Sequence, residues 1–451
     1  MKSNKKSNKK SNKNNNRRWI CLLGLSLTLP LISCESPTAW GFKGIDTLPT
    51  PPDPQYSFAH VLPADTFGSQ RENCEFKKGA TTEATLAIPT GLGLDLPIRH
   101  VIVLMKENRS FDHLLGRLNE QGQPKTEPIP DTYFNLDKKG HAVYPFHQTN
   151  TALFSDPNHQ SASIAAAVNG GKMDGFVLNA ANTTLSDGHF VMGNYEKTDL
   201  PFYYWLASTY ALSDRHFAPV QGGTFANRDF MLFGTNAGVI DTGTSYPSAK
   251  TDSLLRSLMT HGFTWGAYSD GSPLSGSLGW TKTYPGTHSF GDFIKALDAG
   301  TLPSVSFVDG LEIVNDDHPP ASLETGEKWV KKIYDHATKS PQWDSLAIIW
   351  TYDEGGAFAD HVVPPKGCLP ESGVPGDWKD PNFGQRVPLV AISPWAKQGY
   401  VSHVAHDHTA ITRFIETLFG LPALTSRDAN SDALMDLFDF ESPPSSTPNY
   451  P

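Results

Sequence analysis

The sequence predicts an α/β fold built on a mostly parallel central sheet. Between about residues 90 and 440, short apolar runs rich in β-branched residues alternate with amphipathic helical stretches, which is typical of parallel sheets flanked by helices. The runs are also almost continuously apolar, as expected of strands that are buried on both faces. They are HVIVLM (100–105), SVSFV (304–308), SLAIIWTY (345–352) and VPLVAIS (387–393).

The chain is long enough for a sizeable core, with 451 residues of which 38% are hydrophobic. We expect one folded domain over residues 91–440. Residues 34–90 are rich in Pro, Ser, Thr and Gly and predict a tether and wrapping segment before it. Residues 441–451 predict a loose tail.

Residues 1–33 have the pattern of an export signal. A stretch with eight Lys and Arg residues and no acid precedes the apolar run WICLLGLSLTLPLIS, which is shorter than a comfortable membrane span. LISC (31–34) resembles the bacterial lipobox, which implies lipidation of Cys34, with simple cleavage nearby as the alternative. Arg17 and Arg18 keep the twin-arginine route open. We expect a periplasmic protein, an outer-membrane lipoprotein or a secreted protein.

Charge and cysteine content restrict the class of protein further. Removal of residues 1–33 lowers the net charge from −10 to −18, which disfavours nucleic-acid binding through a basic face. Cys21 lies in the signal, so Cys74 and Cys368 are the thiols left in the mature body besides Cys34. In an oxidising compartment they predict a disulfide, with two buried free thiols as the alternative.

Acidic and amide side chains follow two of the predicted strands. Glu107 and Asn108 come at the end of the first run, and Asp353 and Glu354 at the end of the third. Open α/β sheets form their sites at the carboxyl ends of strands. Acidic pairs that converged there would repel one another, so either they lie far apart or a cation lies between them. The metal interpretation explains why these polar residues stand there.

Four histidines each stand close to an aspartate in a predicted loop. An aspartate can fix the tautomer of a histidine for metal binding or proton transfer. Any single pair is more often a surface or capping feature; Asp407, for instance, would serve as an N-cap. Four such pairs together favour a functional site. The histidines are His159 (in DPNH), His318 (in NDDH), His361 (in ADH) and His408 (in HDH).

A candidate nucleophile lies in QGGTFANRDFMLFGT (221–235). Thr224 follows two glycines and precedes Asn227, Arg228 and an apolar helical stretch. A hydroxyl at that place could attack phosphorus, because a helix N-terminus and an arginine both favour an anion. The alternative interpretation is that Thr224 is only the N-cap of this helix.

Seven motifs occur in this order along the chain: HVIVLMKENRSFDHLLG, GKMDGF, GGTFANR, LPSVSFV, DHPPASLETGE, TYDEGGAFADHVVPP and HDHTAITRFIE. Together they resemble the bacterial phosphoesterase family that holds non-haemolytic phospholipases C and respiratory-burst-inhibiting acid phosphatases. The resemblance covers about residues 98–440 and implies an alkaline-phosphatase-like α/β/α sandwich, with residues 91–440 as the catalytic domain. The sequence departs from the family at Ala226, where proline usually precedes the Asn-Arg pair.

The resemblance also implies roles for individual residues. A divalent metal ion would be held beside a Thr nucleophile, with matched histidines and Arg228 around the phosphate. Oxygen-rich ligands suit Mg, Mn or Ca, whereas nearby histidines suit Zn, which we expect. The implied metal ligands are Glu107, Asn108, Asp353, Glu354 and Thr224, and the implied catalytic residues are Thr224, Arg228, His159, His318, His361 and His408.

The function expected from this resemblance is metal-dependent phosphodiester hydrolysis. We expect a phospholipase C that releases diacylglycerol through a phosphothreonine intermediate. Two alternatives are an acid phosphatase that uses the same site and a lipoprotein that binds a metal or phosphate without catalysis. The expected partners are a phospholipid or small phosphate ester and a membrane surface, reached through the lipid anchor or the substrate; neither nucleic acid nor an obligate protein partner is expected.

Overall fold

The computed structural model describes residues 61–241, 252–271, 287–371 and 380–451. The predicted export signal, Cys34 and the first part of the predicted tether therefore lie outside the described residues. Within the described ranges, no helix has both the length and the apolar character needed to cross a bilayer.

Eight of the strands form one central sheet. The strands are β1 (His100–Lys106), β2 (Asn135–Leu136), β3 (Ala142–Val143), β4 (Phe146–His147), β5 (Gly193–Asn194), β6 (Ala211–Ser213), β7 (His216–Phe217), β8 (Trp265–Tyr268), β9 (Thr287–His288), β10 (Val305–Val308), β11 (Leu346–Tyr352), β12 (Leu389–Ile392), β13 (Val401–Ser402) and β14 (His406–Asp407). The order in the sheet is β13-β6-β12-β11-β1-β10-β8-β9. All pairings are parallel except those of β12, which runs antiparallel to both neighbours.

The centre of the sheet explains why its strands read as continuous apolar runs. Every residue of β1 and of β11 is buried, as expected where both faces of a sheet are covered. The two strands are parallel neighbours, and Lys106 pairs with Tyr352 at their carboxyl ends. The next residues along each chain, Glu107 and Asp353, therefore leave the sheet side by side.

The helices pack on one another in groups around this sheet. They are α1 (Gly68–Glu72), α2 (Thr82–Leu86), α3 (Leu92–Asp95), α4 (Phe111–Leu115), α5 (Leu118–Gln121), α6 (Ser161–Val168), α7 (Phe176–Thr183), α8 (Pro201–Thr209), α9 (Thr224–Phe233), α10 (Leu254–Thr260), α11 (Phe290–Ala299), α12 (Leu323–Ala337), α13 (His408–Phe419) and α14 (Ser426–Ala429). α9 contacts α10 and α13, whereas α12 contacts α8 and α11. The predicted fold class, an α/β/α sandwich with a mostly parallel central sheet, is confirmed.

Both ends of the described chain are fastened to the domain. A disulfide joins Cys74 to Cys368, with their Cα atoms 5.5 Å apart, so the predicted pairing is confirmed. Residues 441–451 differ from the expected loose tail, because the ring of Tyr450 packs against Phe202 and Trp205. Partial burial of the Tyr450 ring offsets the low apolar content of the rest of this segment.

Candidate active site

The residues at the ends of β1 and β11 meet at the carboxyl edge of the sheet. The backbone N–H of Asn108 donates to Asp353 Oδ1 at 3.2 Å. Gly356 lies so close to Asn108 that a side chain there would collide with the Asn108 carbonyl oxygen, and its φ of +62° also favours glycine. The two strand-end motifs, far apart in sequence, thus form one cluster.

Thr224 is placed beside this cluster by the start of α9. It is the first residue of the helix, and the N-cap is Gly223, so the interpretation of Thr224 as an N-cap is wrong. Its hydroxyl donates to Glu107 Oε2 at 3.4 Å. The N–H groups of the first helical turn lie at the same end of α9, where the helix terminus favours an anion.

A cavity of about 530 Å³ opens above Thr224. Its volume lies within the range of about 300 to 1,000 Å³ that is usual for small-ligand sites. Most of the side chains on its wall are polar. They are Glu107, Asp156, Asn158, His159, Gln160, Thr183, Thr224, Phe225, Glu312 and His318.

Arg228 lies beneath the cavity and not on its wall. Its guanidinium is buried and contacts Glu107 at 3.0 Å, Asp309 at 2.7 Å and Asp353 at 3.4 Å. Because these three carboxylates occupy the N–H donors of Arg228, the side chain stabilises the base of the site and does not contact phosphate as expected. Asp309 was not predicted as a site residue. It directly follows β10, so the expectation that sites form at the carboxyl ends of strands, which selected Glu107, applies to it as well.

Two of the predicted histidines, His159 and His318, line the cavity in the same way. The Nδ1 of each faces a backbone carbonyl oxygen, that of Pro157 at 2.9 Å and that of Pro319 at 2.7 Å. Because a carbonyl oxygen only accepts, each Nδ1 carries the hydrogen. The other ring nitrogen of each histidine, Nε2, faces Asn108. The Asn108 amide nitrogen lies 3.3 Å from His159 Nε2 and 2.8 Å from His318 Nε2.

The orientation of the Asn108 amide bears directly on metal binding. When its nitrogen donates to the two histidines, its oxygen lies 3.0 Å from Glu354 Oε1 and 3.2 Å from Asp353 Oδ1. Three acceptor oxygens then face one another, and either a cation among them or a proton on the Glu354 carboxyl makes that arrangement favourable. In the opposite orientation the oxygen accepts from His318 Nε2, which requires that ring to be doubly protonated. The donor set therefore fits a divalent cation.

The electrostatics of the cluster agree with this. Burial raises the pKa of Glu107 well above its usual range; Asp353 adds to the shift and Arg228 opposes it. Burial likewise raises the pKa of Glu354 to about 8, against the opposing charge of His159. Burial alone would lower the pKa of His159, but Glu354 and Asp156 outweigh it and raise that pKa to about 10. A cation among the carboxylates would offset the excess negative charge.

A second set of possible metal ligands lies at the mouth of the cavity. One ligand atom each of Asp156, His159 and His318 lies within 4.8 Å of the others. The described residues thus offer an oxygen-rich set at the base of the cavity and a set with two histidines above it. Asp156 belongs to the DPNH motif, of which only His159 was predicted as a site residue.

His361 does not join the cavity wall, contrary to the prediction. Its Nδ1 donates to Asp112 at 2.7 Å, and Arg386 contacts Asp112 at 2.7 Å and Asp360 at 3.3 Å. Asp112 raises the pKa of His361 although burial opposes it. The residue belongs to a separate buried ion-pair network, because its partner is Asp112, distant in sequence, and not the adjacent Asp360.

His408 also lies outside the cavity wall, at the start of α13. Its Nε2 donates to the carbonyl oxygen of Asp353 at 2.7 Å, and its Nδ1 lies 3.1 Å from His216 Nε2. Burial lowers the pKa of His408 to about 4, so it is neutral at pH 7. The residue supports the backbone of Asp353, while Asp407 caps the helix through Thr409 N at 2.9 Å.

The sequence is similar to one known protein family and to several characterised relatives. The sequence profile of the Phosphoesterase family matches residues 98–422. Non-specific phospholipase C1 of Arabidopsis thaliana is 32% identical over 376 residues, covering 74% of this chain and 69% of the relative. The non-hemolytic phospholipase C of Pseudomonas aeruginosa is 28% identical over 434 residues, covering 81% of this chain and 60% of the relative.

Similarity to solved structures is lower. The phosphonate monoester hydrolase of Agrobacterium radiobacter aligns over 76% of this chain and 78% of its own, with 12% identity and a TM-score of 0.41. The profile match spans more than half of the chain, and the Arabidopsis relative is matched at above 30% identity over more than two thirds of its length. The chain therefore belongs to the Phosphoesterase family.

Proposed function

We propose that the protein is a metal-dependent phospholipase C, which cleaves the phosphodiester of a phospholipid on the glycerol side. The observation that carries the proposal is the position of the Thr224 hydroxyl, at a helix N-terminus and 3.4 Å from Glu107, at the base of a cavity lined by two histidines. The names of the plant and bacterial relatives support the same substrate class.

The cavity combines groups that bind and orient a phosphodiester. The N–H groups at the start of α9 would face the phosphoryl oxygens and contribute positive potential. Glu107, Asn108, Asp353, Glu354 and Thr224 would hold the divalent cation, for which we propose Zn. When bound, the cation stabilises negative charge on the phosphoryl oxygens and lowers the pKa of the hydroxyl.

In the first displacement, Thr224 Oγ1 attacks phosphorus while its hydrogen passes to Glu107 Oε2. A bond forms between Oγ1 and phosphorus, and the bond between phosphorus and the glycerol oxygen breaks. His318 or His159 enters this step protonated on Nε2, which turns from Asn108 to the departing oxygen and donates that proton; Nε2 is the nitrogen available because Nδ1 of each is held by a carbonyl. Diacylglycerol leaves, and the phosphorylated head group stays on Thr224.

In the second displacement, water attacks the phosphothreonine. The same histidine now accepts a proton from the water through Nε2. The bond between phosphorus and Oγ1 breaks, and Thr224 regains its hydrogen from Glu107. The head group leaves as a phosphate monoester, and every group returns to its starting state.

Turnover of three substrates on one purified sample tests this proposal. Phosphatidylcholine and p-nitrophenyl phosphorylcholine are diesters, and p-nitrophenyl phosphate is a monoester. A phospholipase C hydrolyses both diesters and is at least tenfold slower on the monoester. Preference for the monoester would instead identify an acid phosphatase, and turnover of none with a metal bound would identify a binding protein.

A further inference from the structure

Large apolar side chains are exposed on the segments that line the cavity. Phe154 is 90% exposed and Leu185 is fully exposed at 109%, while Ile313 and Val314 are 49% and 46% exposed. We call these four residues the apolar rim. Single exposed apolar residues are normal on a protein surface, whereas several around one opening mark an interaction site.

The rim residues come from three separate segments that converge on the cavity. Asp156 and Thr183 line the wall of the cavity. Phe154 lies two residues before Asp156, and Leu185 lies two residues after Thr183. Ile313 and Val314 directly follow Glu312, which also lines it. Since consecutive Cα atoms are about 3.8 Å apart, each rim Cα lies within roughly 8 Å of that of a wall residue.

The turn that carries Ile313 has a conformation that packing does not explain. Its φ is +59°, which is rare for a β-branched residue, although the side chain is half exposed. Asp316 holds the turn, because its carboxylate accepts from Ile313 N at 3.0 Å and from His318 N at 3.1 Å. The same residue therefore fixes both an exposed apolar side chain and a histidine of the cavity.

The charges near the rim restrict the kind of surface that it can meet. Asp156 and Glu312 line the mouth, and Asp187 stands two residues from Leu185 with its side chain largely exposed. The net charge of the chain without residues 1–33 would be −18. An anionic surface would be repelled, whereas a zwitterionic surface would not.

We propose that the apolar rim inserts into a zwitterionic phospholipid surface and thereby seats the cavity over the head groups. This proposal rests on the phospholipase C function and adds how the enzyme reaches lipids in a bilayer. A soluble phosphodiester would enter the cavity without the rim. The rim therefore acts on vesicle substrates alone.

The test compares a rim variant with a matched control in the full chain carrying Cys34→Ser, so that no anchor contributes. The rim variant is Phe154→Ser with Leu185→Ser, which removes little packing because both side chains are exposed. The control is Leu94→Ser with Val404→Ser; these are 38% and 42% exposed, and neither lines the cavity of Thr224. Binding to phosphatidylcholine vesicles is measured by co-sedimentation. Turnover is measured on the same vesicles and on p-nitrophenyl phosphorylcholine.

We expect the rim variant to lose at least tenfold in vesicle affinity and in vesicle turnover, because two large apolar side chains no longer enter the bilayer. Its turnover of the soluble diester should stay within twofold of the wild type. The control variant should stay within twofold of the wild type in vesicle binding, vesicle turnover and turnover of the soluble diester. Vesicles of phosphatidylglycerol should bind more weakly than those of phosphatidylcholine.

Three results would overturn the rim proposal. They are unchanged vesicle binding by the rim variant, tighter binding to phosphatidylglycerol, and a dimer in light scattering that the rim substitutions convert to a monomer. Absence of turnover on both choline esters would instead reject the phospholipase C function, while the co-sedimentation result would still decide whether the rim binds lipid.

Discussion

Lys106 and Asp317 form an ion pair of 2.9 Å in which neither side chain is exposed. Lys106 ends β1, directly before the predicted metal ligands, and Asp317 directly precedes His318. The hydroxyls of Tyr203 and Tyr352 donate to the same carboxylate oxygen, at 3.0 and 2.6 Å. The pair therefore connects the base of the cavity with one of its histidines.

Substitution Asp317→Asn should destabilise the protein by about 3–5 kcal/mol, because it leaves a buried lysine without its counter-charge. Urea unfolding measures the loss. The matched control is Asp292→Asn, which breaks an exposed 3.0 Å pair with Lys295 and should destabilise the protein much less. Equal free energies of unfolding for the two variants would contradict the structural role of the buried pair.

Removal of divalent metal should lower diesterase activity by at least about 100-fold, because the carboxylates and the Asn108 oxygen need a counter-charge. Dialysis against a chelator followed by addition of Zn, Mn, Mg or Ca tests this. Glu354→Gln should weaken metal affinity by about 10-fold or more, whereas Glu312→Gln at the mouth should leave it within twofold. Full activity in a sample shown to be metal-free would reject the metal proposal.

The sequence predicted what depends on local pattern. The four apolar runs became strands of the sheet, and the strand-end rule brought Glu107 and Asp353 to one edge, because β1 and β11 are parallel and in register. The helix start at Thr224 was also predicted. These features follow from the period of hydrophobic residues and from the geometry of parallel sheets.

Contacts between distant segments could not be predicted in the same way. His361 stands beside Asp360 in sequence, yet its partner is Asp112. His408 was grouped with the catalytic histidines, yet it supports the Asp353 backbone from beneath. A motif shows which residues are neighbours along the chain, whereas the side of the sheet on which a histidine lies depends on tertiary packing.

Loss of the disulfide should lower stability without changing the chemistry. The double variant Cys74→Ser with Cys368→Ser should lose about 2–5 kcal/mol, since the bridge closes a loop of 294 residues in the unfolded chain. Activity at 25 °C should remain within twofold, because neither cysteine lines the cavity of Thr224. Thermal melting with and without reductant measures the effect, and identical curves for variant and wild type would contradict it.

Cys34 lies outside the described residues, and its lipidation stays a prediction. If the thiol carries diacylglycerol, the mature protein should partition into detergent, and Cys34→Ser should move it to the aqueous phase. Cys21→Ser, within the predicted signal, is the control and should leave partitioning unchanged. Equal partitioning of the Cys34→Ser variant and the wild type would show that the protein has no acyl anchor.

Two substitutions at Thr224 separate a nucleophile from a structural residue. Thr224→Ser keeps the hydroxyl and should retain measurable turnover. Thr224→Val keeps the shape but not the hydroxyl, and should lose roughly 10³-fold or more in kcat, as when other catalytic units are broken. Circular dichroism and melting show that both variants fold. A folded valine variant with near-normal turnover would exclude covalent catalysis by this residue.

The most direct test is rapid acid quench of the wild-type enzyme with p-nitrophenyl phosphorylcholine, followed by mass spectrometry of the peptide that contains Thr224. The proposed mechanism predicts a phosphorylcholine adduct on Thr224 that forms within the first turnover and is absent from Thr224→Val. A quenched sample with a full burst of p-nitrophenol and an unmodified Thr224 peptide would contradict the mechanism.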